Sequence, residues 1–314
     1  MPAAPSVPAR PDSLALPPPV DAVLIVIALS GVASSGPLIA ATAAPALAIA
    51  FWRNALGAAA TGLVTLPRRV PELRALDRRS WAVAAVAGVF LALHFGTWIP
   101  SLSMTSVAAS TALVAAQPVF AAGIARMRGQ VIPPRAWVGI GVAMLAILLI
   151  TGVDVSVSGR ALGGDLLALA GGAFAAVYIS LGSTARTRMS AQLYTTICYT
   201  TCALVLLVAS LVGSQHLTGF SFDAWRKIIA ITVVAQLLGH SLFNVVLRST
   251  SPTVISLALL FEVPGAAIIA YLWLHQHPSA SVWVGVVVLI AGLAVVVGAR
   301  GRTAPDEPAV ETAI

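Results

Sequence analysis

Four ionisable side chains stand inside otherwise apolar stretches: Arg53, His94, His240 and Glu262. An ionised group in hydrocarbon costs on the order of 2.5–3.5 kcal/mol on insertion scales, so each needs a partner or a task. A carboxylate such as Glu262 could bind and release a proton, as a coupling site does, or could serve as a structural partner for Arg53. Arg53 carries a planar fork that fits a carboxylate or a phosphate, and it fits a static salt bridge equally. Gln236, His240, Asn244 and Arg248 are spaced by four, which places them on one face of an α-helix. His94, Thr97, Trp98 and Ser101 form a weaker second stripe. A polar stripe on an apolar helix either lines a wet cavity or ties helices together by hydrogen bonds. Glu262 lies two residues before Pro264, and Gln117 lies beside Pro118 with Ser106 and Ser110 on a related face. A proline inside a helix removes a donor and kinks the chain, so both places should be interrupted.

The elements that carry these residues are long and apolar. The 314 residues are 59% hydrophobic and 9% charged, with mean hydropathy +0.95. A soluble domain has about 25% charged residues, so lipid must be the main solvent here. The net charge of +7 does not point to nucleic acid, because the basic residues lie in short loops between apolar runs. Cys198 and Cys202 are one helical turn apart within one apolar run, which is poor geometry for a bridge. No phosphate-binding loop, nucleotide fingerprint or metal-ligand cluster is visible, and His275 and His277 at i, i+2 make a poor chelate. The expectation is therefore no metal, no cofactor and no enzyme.

A span needs about 20 apolar residues. Ten such runs are expected, at 21–42, 45–66, 81–101, 104–126, 135–152, 162–183, 191–213, 225–247, 252–274 and 281–299. Residues 1–20, rich in proline, and 300–314 read as tails. With a cytoplasmic N-terminus, only Arg160, Arg226 and Lys227 of the 18 lysines and arginines lie outside, and Arg53 lies within a span. That bias follows the positive-inside rule and places both termini in the cytoplasm. Trp52, Trp81, Trp137, Trp273 and Trp283 fall near span ends, where aromatic rings anchor at the interface. The seventh span is rich in Thr, Tyr and Cys, and threonine hydroxyls can bond back to helix carbonyls.

The two halves match at one ungapped offset. His94 and His240 are 146 residues apart (240 − 94), and the same offset relates Pro118 to Pro264, Gln130 to Gln276, Trp137 to Trp283 and Gly139 to Gly285. Ten spans in two copies means five per copy, and an odd number inserts the second copy upside down. The expected fold is an all-α integral membrane protein of ten transmembrane helices in two inverted five-helix repeats, 21–153 and 161–299.

Four stretches resemble a known family, the EamA-type drug/metabolite transporters. They are APALAIAFWRNALGAAA, ALHFGTWIPSLSMTSVAASTALVAAQPVF, GDLLALAGGAFAAVYISLG, and QLLGHSLFNVVLRSTSPTVISLALLFEVPGAA with the following WVGVVVLIAGLAVVVG. The span from Ala22 to Val297 is similar to two tandem EamA domains. The family pattern often has Gly-Glu after the fourth and ninth spans, where this chain has Gly129-Gln130 and His275-Gln276, and Glu-Pro where it has Glu262-Val263-Pro264. The resemblance implies a secondary transporter in the cell (inner) membrane, exporting a small organic, amino acid-like or related polar solute by alternating access, with protons as a candidate coupling ion. An uptake carrier of the same fold is the alternative; an intramembrane enzyme or a lipid-handling protein would be a different class. The residues expected to bind substrate or couple are His94, Trp98, Ser110, Gln117, Gln236, His240, Asn244, Glu262 and Arg53.

Overall fold

A computed structural model describes residues 17–246, 250 and 252–300; the side chains of 151–157, 240, 241, 244, 252, 253, 256, 257 and 300 fall outside that description. Both expected tails lie almost wholly outside it. No strand occurs among the described residues. The first half contains α1 (Pro19–Ala33), α2 (Ser35–Ala40), α3 (Ala46–Ala75), α4 (Arg78–Ser101), α5 (Val107–Val114), α6 (Gln117–Met127) and α7 (Pro134–Val157). The second contains α8 (Gly159–Ala185), α9 (Ala191–Val212), α10 (Phe222–Ala230), a π-helix (Ile231–Gly239), α11 (His240–Val246), α12 (Pro252–Leu259), α13 (Glu262–Leu274) and α14 (Ala280–Arg300).

Seven stretches are long and apolar enough to cross a membrane: Pro19–Ala40, Ala46–Ala75, Arg78–Ser101, Val107–Met127, Gly159–Ala185, Ala191–Val212 and Ala280–Ala299. The expected fifth and ninth spans are represented by shorter apolar helices, Pro134–Ile150 and Glu262–Leu274. The eighth is broken into α10, the π-helix and α11. Helix starts follow local chemistry. Asp77 accepts from the Ser80 N–H, and Ser106, Ser158, Ser190 and Ser221 accept from Ala109, Ala161, Leu193 and Ala224. Each cap satisfies a backbone donor that would otherwise be orphaned.

Two sequence expectations change. Pro264 does not kink a continuous ninth span. That span is divided, and Pro264 lies in the first turn of α13, where a missing N–H costs little. Pro118 does the same in α6. The second change is in the eighth span. Gln236 belongs to a π-helix with i→i+5 bonding rather than to one continuous α-helix with His240.

The packing exchanges partners between the halves. α7 runs along α14, and α3 runs along α9. α4 packs on α8, and α1 packs on the π-helix and α11. Small residues allow the closest approaches, as is usual where helices meet in lipid. A Cβ on Gly139 would stand 2.6 Å from the Gly292 carbonyl oxygen and 2.8 Å from Val296. A Cβ on Gly285 would stand 2.5 Å from Ile150 and 3.4 Å from the Ala146 carbonyl oxygen. Moving each residue of the first contact to its mate at the offset of 146 gives the residues of the second.

At one edge of the bundle, Glu72 of α3 accepts from the backbone N–H of Ser190 at 2.5 Å and its hydroxyl at 3.0 Å. Arg188 lies 3.8 Å from Asp77. The Ser80 hydrogen bonds, followed by the charges of Arg188 and Arg79, hold the exposed Asp77 carboxyl below its ordinary value of 3.8.

Two predictions follow from these contacts. Gly292→Val puts a branched side chain against backbone atoms of Ala143 and Gly139, 2.7 and 2.9 Å from its Cβ, and should lower the melting temperature of the purified protein. The expected overpacking cost is about 1–3 kcal/mol. Gly141→Ala, whose Cβ meets nothing within 4 Å, should leave the melting temperature unchanged. For Asp77, a depressed folded value means the charge contributes stability above 3.8 and loses that contribution as pH falls through the lowered value. The melting-temperature gap between wild type and Asp77→Asn should therefore shrink on acidification below that point.

Candidate functional site

Arg53 projects from α3 into the bundle and is 3% exposed. Its Nε donates to Gln236 Oε1 at 3.0 Å, linking the first half to the π-helix of the second. Its guanidinium carbon lies 4.3 Å from the centre of the Phe95 ring on α4, a cation–π contact. Gln236 reaches this place because residue 57 is glycine: a Cβ there would stand 2.5 Å from Gln236 Nε2 and 3.2 Å from Tyr199. Tyr199 and Cys202 of α9 and Glu262 of α13 lie close enough to act electrostatically on Arg53.

The polar face of α9, for which the sequence offered no account, is thereby placed. Tyr194, Cys198, Tyr199 and Cys202 are buried in the core shared with α3 and α4. Thr196 and Thr200 bond back to Gln192 and Thr196 of their own helix.

His94 sits one residue before Phe95. Its Nδ1 lies 3.0 Å from the Gly171 carbonyl oxygen on α8. A carbonyl only accepts, so Nδ1 carries the proton and donates. Gly171 permits this approach, since a Cβ there would stand 3.2 Å from Trp98 and from Thr97 Oγ1. The His94 and Trp98 rings stack, with centroids 5.7 Å apart and planes 18° apart. Trp98 is buried, and its indole N–H meets no hydrogen-bond partner among the described residues. His94 and Glu262 are surrounded by protein while keeping part of their surface open.

The remaining candidates divide. Gln117 opens α6 as Glu262 opens α13, each at a broken span. Glu262 in a first turn also meets the positive end of the helix dipole. Ser110 is fully buried, and its hydroxyl lies 2.6 Å from that of Ser101, tying α5 to the end of α4. Thr97 bonds back to Leu93 and His94 of its own helix. The side chains of His240 and Asn244 lie outside the described residues, as does Arg248. Among the described residues, no group of three His, Cys, Asp or Glu could hold a metal ion.

Two buried acids escaped the sequence reading. Asp21, at the start of α1, accepts from Thr250 Oγ1 at 3.0 Å. Asp165 is fully buried near the start of α8. Their signal was positional, one acid in the opening turns of the first helix of each half.

The model of the EamA-like transporter family matches residues 21–152 and 162–298. The chain belongs to the EamA-like transporter family. It is a multi-pass membrane protein of a transporter family, carrying two tandem EamA units. A solved structure described only as "Crystal structure of protein" has a TM-score of 0.61 at 13% identity, over 88% of this chain and 96% of that one, and it shows the fold alone. No curated protein matches the chain.

Family membership sets Gln276, which stands where the family pattern has an acid, in a structural light. Its Oε1 accepts from the Val107 N–H at 3.0 Å and so caps α5 across the two units. The Arg53–Gln236 bond is a deeper tie of the same kind. Gln236→Leu would leave a charged donor buried without its acceptor, which costs on the order of 2 kcal/mol. Thermal unfolding in detergent should show that loss for Gln236→Leu and a smaller one for Gln276→Leu at the bundle end.

Proposed function

We propose that this transporter is a secondary active exporter of a small organic, amino acid-like solute, working by alternating access between two inverted repeats of five passes each. In this reading all ten expected spans cross the cell membrane, the broken eighth and ninth included, and both termini are cytoplasmic. The exchange of packing partners at the offset of 146 supports the inverted repeat.

One observation carries the reading. The ionisable cluster is assembled from both halves: Arg53, His94 and Phe95 come from α3 and α4, and Gln236 and Glu262 come from the π-helix and α13. Rocking one half against the other would open this cluster to one side of the membrane and then the other. His94 and Glu262 each keep an open part of their surface deep in the bundle, as groups facing a shared cleft would. His240 and Asn244, on α11 directly after the π-helix, are assigned to the substrate site in this reading. Trp98 closes its first-half side, while Ser110 and Gln117 support the broken α5–α6 wall. Glu262 takes the coupling role, neutral when protonated and a partner for Arg53 when ionised.

An export panel tests the function: metabolites accumulated outside expressing cells are compared with those outside non-expressing cells. At least one small polar solute should accumulate outside expressing cells; depletion from the medium instead would assign uptake. Reconstituted with that solute, wild type should show flux driven by an imposed pH gradient, and Glu262→Gln should retain exchange while losing the gradient response. A full gradient response in Glu262→Gln would remove Glu262 from coupling.

A further inference from the structure

We propose that Arg53 is the anchor for a carboxylate on the substrate, and that Glu262 is the internal anion which that carboxylate replaces. The proposal rests on the transport reading above and narrows its substrate class. A structural arginine buried in lipid-facing protein would normally close a two-pronged pair with a carboxylate. Arg53 does not. Its Nε is bonded to Gln236, yet Nη1 is buried with no hydrogen-bond partner among the described residues. Glu262 acts on it electrostatically, but no nitrogen–oxygen distance within 4.0 Å joins the two. The guanidinium is thus positioned by a neutral amide and an aromatic face, and one donor edge is left over.

A neutral positioner is what an exchanging site requires. Gln236 and Phe95 hold the guanidinium in place without neutralising it, so its charge stays available to an incoming anion. Glu262 interacts electrostatically with that charge without closing an ion pair with it, which leaves it replaceable by a substrate anion. The count of charges also selects the ligand. One guanidinium balances one carboxylate at a time, Glu262 when the site is empty and a singly charged acid once Glu262 is protonated or displaced, whereas a phosphate dianion would leave net negative charge in a low-dielectric interior. Beyond the charge, Phe95 is 6.4 Å from Trp98 with its plane tilted by 37°, and Trp98 stacks with His94, giving an aromatic cluster against which an apolar tail would lie. The unpaired indole N–H of Trp98 is a second donor in that cluster. The class that fits is a small organic solute carrying one carboxylate, amino acids included.

The test uses the purified full chain in lipid nanodiscs and reads ligand-dependent thermal shift with matched pairs: L-phenylalanine and L-phenylalaninamide, L-leucine and L-leucinamide, 3-phenylpropionate and 3-phenylpropionamide, with inorganic phosphate alongside. At least one acid should bind on the order of tenfold more tightly than its amide. Arg53→Lys should weaken that acid about tenfold while keeping the preference, since the charge remains and the fork is lost. Arg53→Gln should abolish the preference, and Glu262→Gln should tighten the acid several-fold by removing its competitor. If Arg53→Gln does not fold, the wild-type acid–amide ratio and the Lys variant still decide. No acid shift, amides equal to acids, or phosphate binding more tightly than every acid would overturn the anchor. Weaker acid binding in Glu262→Gln would overturn the exchange. Acid-selective binding without flux in proteoliposomes would sink the transport reading and leave the anchor standing. Wild-type-like transport of a solute without a carboxyl group by Arg53→Gln would do the reverse.

Discussion

A guanidinium buried in a membrane bundle must be solvated by protein, and much of the inner packing here serves that need. Arg53 cannot deprotonate at any relevant pH, so its charge has to be met by dipoles, a ring face or an anion. Gln236 supplies the dipole, Phe95 the ring and Glu262 the nearby anion. Each comes from a different helix, and α3 packs against α4, α9 and the π-helix around this place. Gly57 is part of the same requirement, because a side chain there would hold Gln236 and Tyr199 away. A continuous α-helix over 231–239 is replaced by a π-helix in the same region, with the Val234 carbonyl directed toward Gly31 of α1.

The broken spans suit a polar site for a related reason. Cutting a helix in mid-membrane leaves backbone groups unpaired, which lipid does not tolerate and a protein-lined cleft does. The chain limits the exposure by placing Pro118 and Pro264 in first turns, where no N–H is required, and by tightening the preceding turns. Ala116 bonds to Leu113 and Phe261 to Ala258, one residue short of the α pattern. The break therefore costs few hydrogen bonds and sets Gln117 and Glu262 at fresh helix starts.

Hydropathy, proline positions and the offset of 146 were enough to read an all-helical membrane chain of two related units, because those signals are carried by composition along single segments. The site was legible in part. Arg53, His94, Gln236 and Glu262 stood out as polar groups in apolar runs, and their mutual proximity across 183 residues from Arg53 to Gln236 did not. The π-helix was not legible, since its sequence, ITVVAQLLG, has no residue that forbids α-helix; packing against α1 decides it. Thr97 and Ser101 looked like members of a cleft-facing stripe, yet both hydroxyls bond within or beside their own helix. Spacing reports the face of a helix, not which neighbour that face meets. Asp21 and Asp165 were passed over because acids in the opening turns of a helix look like ordinary end caps until burial shows otherwise.

Symmetry explains why the site had to diverge while the scaffold did not. Gly139 and Gly285 make equivalent close approaches, so the contact between α7 and α14 requires the same small residue twice. Arg53 has Tyr199 as its mate at the offset of 146, and Tyr199 borders the guanidinium itself. Two arginines there would face each other across a few ångströms in a low dielectric, a repulsion no single carboxylate could offset. One arginine and one tyrosine avoid it. The same reasoning applies to Glu262, whose mate is Ala116: a single charge pair is neutral, whereas a symmetric pair of pairs would demand twice the desolvation. Duplication thus supplied the frame twice, and electrostatics allowed the charged site to be built only once.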